Sequence, residues 1–327
     1  MPVFLRLLAL ASLAVITAAH AADLRIGLIG LDTSHVIAFT QSLNDPTSPN
    51  FVPGGKVVAA FKGGSPDIEN SASRIEGYTK QLVEKFGVKL YGSIEEMTRD
   101  VDAIMLESLD GRPHLSQFRH TLAAKKPVFI DKPFAGTLRD GLEIVRLSRE
   151  HGVPIFSSSS LRYAPEPIGP ALEKIGGVLT AYSVGPADYD ARHPDMFWYG
   201  IHAIEALYTV MGPGCVSLVR TKTENNDVIT GVWSDGRVGT MQGNRKGFKG
   251  YGVTVTGPKG SVTVGDKHSY RGLLVEAVKF FQTRVSPVPI ETTIEILAFM
   301  EAADESKRRG GVPVTIAEVM KLAGAKP

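Results

Sequence analysis

Six short apolar runs, each separated from the next by a helix-length stretch, occupy the first half of the chain. They lie at 24–30, 57–61, 89–91, 103–106, 127–130 and 153–156. A strand that is apolar on both faces must be covered on both, which parallel sheets achieve with helical crossovers. The spacing predicts helices at 35–43, about 68–86, from Ser93 onward, 114–124 and 137–151. Glu96 follows Ser93 in the form of a capping box, and Thr137 and Gly152 mark the start and end of the last helix. This pattern predicts a doubly wound, Rossmann-like α/β domain with a parallel sheet.

The pattern changes after residue 161. A helix expected at 197–211 leads into strands at 216–220, 228–233, 238–241, 253–255 and 262–264. Asp235 and Gly236 form a two-residue hairpin signal, and Gly257 to Gly260 a second turn. Helices at 292–307 and 316–322 follow. The expectation is an antiparallel meander with one helix-covered face, in a second domain of α+β type. The domains are then 22–160 and 161–327.

Residues 1–21 read as a secretory signal peptide. Arg6 precedes an apolar stretch at 7–19, and Ala19-His20-Ala21 fits the small-x-small cleavage rule. A membrane span needs about 20 apolar residues, so this stretch is short for one; the alternative is an uncleaved anchor. With no twin arginine, export in the unfolded state to the periplasm or medium is expected, with no membrane contact after cleavage. The net charge of +2 gives no electrostatic footprint for nucleic acid. The single cysteine, Cys215, excludes an internal disulfide and a cysteine-cluster zinc site. Two packed cores must therefore carry the stability.

The first βα turn of a doubly wound sheet is where a dinucleotide diphosphate meets a helix N-terminus. In the pattern G-x-G-x-x-G, Gly30 fits the first position, while Asp32 and His35 stand at the second and third. Asp32, Thr33, Ser34 and His35 are candidate cofactor contacts, and Asp32, Thr33 or Ser34 are equally good helix N-caps. After the second run, Lys62 and Ser65 stand where an acid would grip the ribose of NAD. They suit the 2′-phosphate of NADP, or simply belong to a glycine-rich turn.

From these residues the chain resembles the Gfo/Idh/MocA oxidoreductase family. Asp131-Lys132-Pro133 after the fifth run is similar to the family's Glu-Lys-Pro motif. The fourth run followed by His114 is similar to its strand-and-histidine arrangement, and Trp198 to His202 with Glu205 resembles its Asp-x-Gly-x-His-x-x-Asp segment. Residues 301–306 resemble its C-terminal helix. The resemblance implies a Rossmann domain followed by a substrate domain, and NAD or NADP as cofactor. It further implies that Asp131, Lys132 and His114 lie at the cofactor, that Lys132 also meets the substrate hydroxyl, and that His202 accepts or assists its proton. A homo-oligomer formed through the C-terminal sheet is implied as well. One position departs: the aspartate expected four residues before the histidine is Trp198.

Tyr199, His202 and Glu205 would share one face of a helix. The His–Glu pair is either a buried structural pair or a catalytic pair in which Glu205 orients the imidazole. It has a metal spacing but no third ligand, so no metal is expected. Arg162 and Tyr163 could line a substrate pocket or pack at a domain interface; Tyr189, His193 and Asp195 are weaker candidates. The chain is expected to be an exported NAD(P)-dependent oxidoreductase of a sugar, polyol or related hydroxy compound. The alternatives are a redox-neutral sugar lyase, epimerase or hydratase, and a non-catalytic periplasmic carbohydrate-binding protein.

Overall fold

The computed structural model describes residues 22–163, 168–267 and 269–325; the expected signal segment lies outside them. The six apolar runs form β1 (Leu24–Ile29), β2 (Gly55–Phe61), β3 (Lys89–Leu90), β4 (Ala103–Leu106), β5 (Val128–Ile130) and β6 (Ile155–Phe156). All neighbours pair in parallel, in the order β3-β2-β1-β4-β5-β6. Their inward residues, among them Ile26, Leu28, Ile104 and Met105, are wholly buried, as strands covered on both faces must be. Strand order reverses between β1 and β4, which opens a crevice at their carboxyl ends. Ser93 Oγ accepts the Glu96 amide at 3.3 Å, and Thr137 Oγ1 the Asp140 amide at 3.1 Å. Both expected caps form. The single helix expected at 68–86 is two, Glu69–Ala72 and Ile75–Phe86.

The second sheet contains β7 (Thr180–Pro186), β8 (Cys215–Lys222), β9 (Asn226–Trp233), β10 (Val238–Asn244), β11 (Gly252–Gly257), β12 (Gly260–Val264) and β13 (Val314–Thr315). Their order is β12-β11-β7-β10-β9-β8-β13. Both expected hairpins are present, β9–β10 and β11–β12. The continuous meander is not. β7 enters between β10 and β11 and runs parallel to β10. Its residues alternate between exposed and buried and end in Gly185-Pro186, so no apolar run announces it. The helix expected at 197–211 is broken at Tyr199 into Asp195–Trp198 and Gly200–Met211. Gly200–Met211 and Ile290–Arg308 cover one face of this sheet.

A further helix, Tyr270–Thr283, belongs by sequence to the second domain but packs on the first. Leu273, Leu274, Ala277 and Phe280 share a core with Ile26, Phe39, Phe129 and Phe156. The Phe280 ring meets Phe156 at 5.6 Å, edge to face. The second half of the chain thus returns to close one face of the parallel sheet, and a cut at residue 160 would strip it. Among the described residues no helix is long and apolar enough to cross a membrane.

Candidate active site

At the end of β1, Gly30 turns the chain with φ +86°. A Cβ there would lie 2.2 Å from Ser108 Oγ and 2.6 Å from Ser108 Cα, so only glycine lets the loops after β1 and β4 touch. Asp32 is wholly buried. It accepts the Leu109 amide at 3.0 Å and the Ser71 hydroxyl at 2.6 Å, tying this turn to the loop after β4 and to the short helix after β2. Thr33 Oγ1 accepts the His35 amide at 3.3 Å, whereas Ser34, the residue before helix His35–Asn44, makes no side-chain cap. Of the three candidate caps, Thr33 alone reaches the helix start.

The His35 ring stacks on Phe39 at 5.0 Å and meets Tyr270 edge-on at 4.9 Å. Its Nδ1 lies 2.6 Å from Asp131 Oδ2. The other Asp131 oxygen accepts the Lys132 amide at 2.7 Å. Burial works to raise the Asp131 pKa, but the charge and hydrogen bond of His35, joined by Lys132, hold it below the usual carboxylate range. The side chain of Lys132 reaches toward Tyr199, with Nζ 6.0 Å from the ring centroid.

The opposite wall comes from the helix Gly200–Met211 and the turn after β6. His202 Nδ1 lies 3.0 Å from Ser159 Oγ, and the His202 ring stands 6.0 Å from Tyr199 and 5.8 Å from Tyr251. Thr33, Ser34, His35, Arg74, Lys132, Tyr199 and His202 all line one cavity of about 160 Å³. Ser160, Leu161, Leu109, Tyr251 and Tyr270 complete it, and no carboxylate is among them.

Several sequence candidates lie elsewhere. Lys62 pairs with Glu76, and Ser65 donates to Asp110 at 2.8 Å. His114 is wholly buried, with Nε2 2.9 Å from the Ser108 carbonyl and Nδ1 3.3 Å from that of Phe134. Burial pushes its pKa down, so the neutral ring braces the β4 loop instead of meeting a cofactor. Glu205 does not orient His202. It accepts Arg162 Nε at 2.9 Å and the Ser158 hydroxyl at 3.0 Å, because the helix turns it toward the post-β6 segment. Arg162 is consumed by that ion pair, and Tyr163 backs onto Gly272; the adjacent Ser160 and Leu161 face the cavity in their place. His193 approaches Asp110 at 3.3 Å, Asp195 binds Arg220 and Lys307, and Tyr189 is half exposed beneath Lys222 and Arg245. Trp198, at the family's aspartate position, packs buried against the rings of His193 and Tyr199.

Sequence reasoning missed Arg74, Ser159, Tyr251, Tyr270 and Glu107. Glu107 gave a readable signal, an acid directly after an apolar run at the end of a buried strand. Burial, reinforced by the neighbouring Asp131, raises its pKa well above that of an ordinary glutamate.

The residues of the turn fit a nicotinamide dinucleotide by a route other than three glycines. Gly30 makes the tight turn, the charge of Asp32 is directed inward onto two donors, and Thr33, Ser34 and Arg74 present hydroxyls and a cation to the cavity. Residues 24–159 match the model of the Gfo/Idh/MocA oxidoreductase family, NAD-binding Rossmann fold. The N-terminal domain is similar to that family. The expectations of an enzyme and of a nicotinamide cofactor agree with this match. No curated protein matches the chain. Solved structures match across both domains. An oxidoreductase from Agrobacterium radiobacter, in complex with NAD+, L-tartaric acid and magnesium, is 17% identical with a TM-score of 0.70, covering 91% of this chain and 99% of its own. The myo-inositol dehydrogenase of Lactobacillus casei, in complex with NAD(H) and myo-inositol, is 17% identical with a TM-score of 0.69, covering 90% and 97%. The apo scyllo-inositol dehydrogenase of the same organism is 16% identical with a TM-score of 0.69, covering 90% and 98%.

Proposed function

We propose that the protein is an NAD(P)-dependent oxidoreductase that acts on a sugar, polyol or related small hydroxy compound. One observation carries this: a single cavity brings Lys132, Tyr199 and His202 against the turn that receives the cofactor in Rossmann domains. Its volume of about 160 Å³ suits a small polar molecule. When bound, the nicotinamide supplies the hydride acceptor. The Lys132 ammonium lowers the pKa of a substrate hydroxyl beside it, and His202, with Nδ1 3.0 Å from Ser159 Oγ, lines the same cavity as the imidazole that assists the proton transfer. The tyrosines give the cavity hydroxyls and flat faces against which a sugar ring can lie. The myo-inositol complex of the Lactobacillus casei enzyme supports a polyhydroxylated substrate.

Titration of the purified protein with NAD and NADP, followed by a panel of sugars, polyols and sugar acids, tests the proposal. Nucleotide binding and turnover that is lost in Lys132→Ala and His202→Ala are expected. Failure of both nucleotides to bind at millimolar concentration would leave the redox-neutral or binding-protein alternatives.

We also propose export with cleavage after Ala21, supported by the residues quoted above and checked by N-terminal sequencing of the protein from its native cell. Tyr182, Val216 and Val232 are exposed on the second sheet and support a homo-oligomer through that face, which light scattering would test.

A further inference from the structure

Glu107, the residue after β4, is wholly buried, and neither of its carboxylate oxygens meets a donor. Ligand atoms of Glu107, Asp131 and His35 all lie within 4.8 Å of one another. Two carboxylates in so dry a site cannot both stay ionised. Asp131 has the donors, His35 Nδ1 at 2.6 Å and the Lys132 amide at 2.7 Å. Glu107 has none. The shared proton therefore belongs on Glu107, and the negative charge belongs on Asp131.

We propose that His35 is a second acid–base residue of the cavity, held as its Nδ1–H tautomer by ionised Asp131, with protonated Glu107 behind them as a positioning residue. The proposal rests on the oxidoreductase reading for its substrate, though not for its tautomer. With Nδ1 committed to Asp131, the free lone pair of the ring is on Nε2, and the ring lines the cavity. When a substrate hydroxyl gives up its proton, the O–H bond breaks, an Nε2–H bond forms and the bonding electrons stay on oxygen. The imidazolium is then stabilised by Asp131, while Glu107 keeps its own proton. Lys132, His114 and Tyr270 are the other titratable groups facing this cluster. Two ligands of one tetrahedral zinc, each about 2.0 Å from the ion, stand roughly 3.3 Å apart. The 2.6 Å between His35 Nδ1 and Asp131 is narrower and marks a hydrogen bond.

The test uses the full chain labelled with ¹⁵N-histidine, whose NMR spectrum separates the two tautomers, together with infrared detection of a protonated carboxyl. At neutral pH His35 is expected as Nδ1–H, with a protonated-carboxyl band that disappears in Glu107→Gln. Asp131→Asn is expected to move His35 toward the Nε2–H form, and Glu107→Gln, which keeps a neutral group of the same shape, to leave it as Nδ1–H. In turnover assays His35→Gln should lower kcat by roughly 100-fold and flatten one limb of its pH profile, with nucleotide affinity changed only a few-fold. An Nε2–H tautomer in the native protein, a carboxyl band that survives Glu107→Gln, a stoichiometric bound metal, or undiminished kcat in His35→Gln would each overturn the proposal. Loss of nucleotide binding by the native protein would sink the oxidoreductase reading and leave the tautomer measurement to be judged separately.

Discussion

The cavity has two histidines on opposite walls, and they are held in opposite ways. On the Rossmann side, His35 faces a buried carboxylate at 2.6 Å, with a second acid, Glu107, behind it. On the C-terminal side, His202 faces a serine hydroxyl at 3.0 Å, while the nearby acid, Glu205, is spent on Arg162. A carboxylate fixes both the tautomer and the charge preference of an imidazole, and a hydroxyl, which can donate or accept, fixes neither by itself. The Rossmann wall thus carries the buried carboxylates, and the opposite wall is rich in hydroxyls.

The largest expected effects separate chemistry from scaffolding across the two walls. Lys132→Ala and His202→Ala should each cost roughly 10²- to 10⁴-fold in kcat with little change in Tm, as removal of an acid–base group does. Glu205→Ala should do the reverse. It leaves the Arg162 charge with no carboxylate in a mostly buried site, at about 3 kcal/mol of stability measured by urea unfolding. A loss of turnover in Glu205→Ala as large as that in His202→Ala, with stability intact, would restore Glu205 to the chemistry and erase the contrast. Next in size is Gly30→Ala. Its new methyl meets the backbone of Ser108 at a φ of +86°, so about 2–3 kcal/mol of stability and nucleotide affinity should fall together.

The smallest effect is a difference in pH response. Asp110, under the Rossmann loops, would be raised by burial, but the close approach of His193 and hydrogen bonds from Arg112 and Ser65 hold it far below its ordinary value. Its stabilisation is present above the unfolded pKa and is lost as pH falls toward the folded one. Asp304, in the second domain, is raised to about 6 by burial, which the Arg220 charge only partly offsets. Its contribution is present below an ordinary aspartate pKa and is lost as pH rises through about 6. Asp110→Asn should therefore reduce the Tm difference between pH 5 and pH 3, and Asp304→Asn the difference between pH 5 and pH 7. Thermal melts across that range check both signs.

The parallel sheet was legible because its central strands, β4 and β5 above all, are buried on both faces and so appear as apolar runs, whereas the edge strand β3 is exposed. β7 and the helix Tyr270–Thr283 were not. The strand shows water one face and is built of small polar residues, and the helix takes its partners from a sheet more than a hundred residues upstream. Lys132, Tyr199 and His202 could be placed from the motifs they resemble. The partners of those residues could not: a spacing of three puts Glu205 near His202 on a helix but does not say which way each side chain turns. Nor could sequence distinguish Asp32 as an unfavourable charge at a phosphate site from Asp32 as a clamp between two loops and a short helix. That depended on where Leu109 and Ser71 arrive.

Calorimetric titration of the purified full chain with NAD and with NADP is the most direct measurement of the central claim. Saturable binding of at least one of them, weakened in Gly30→Ala, is the predicted result. No binding of either at millimolar concentration to a protein that is folded by circular dichroism would contradict it.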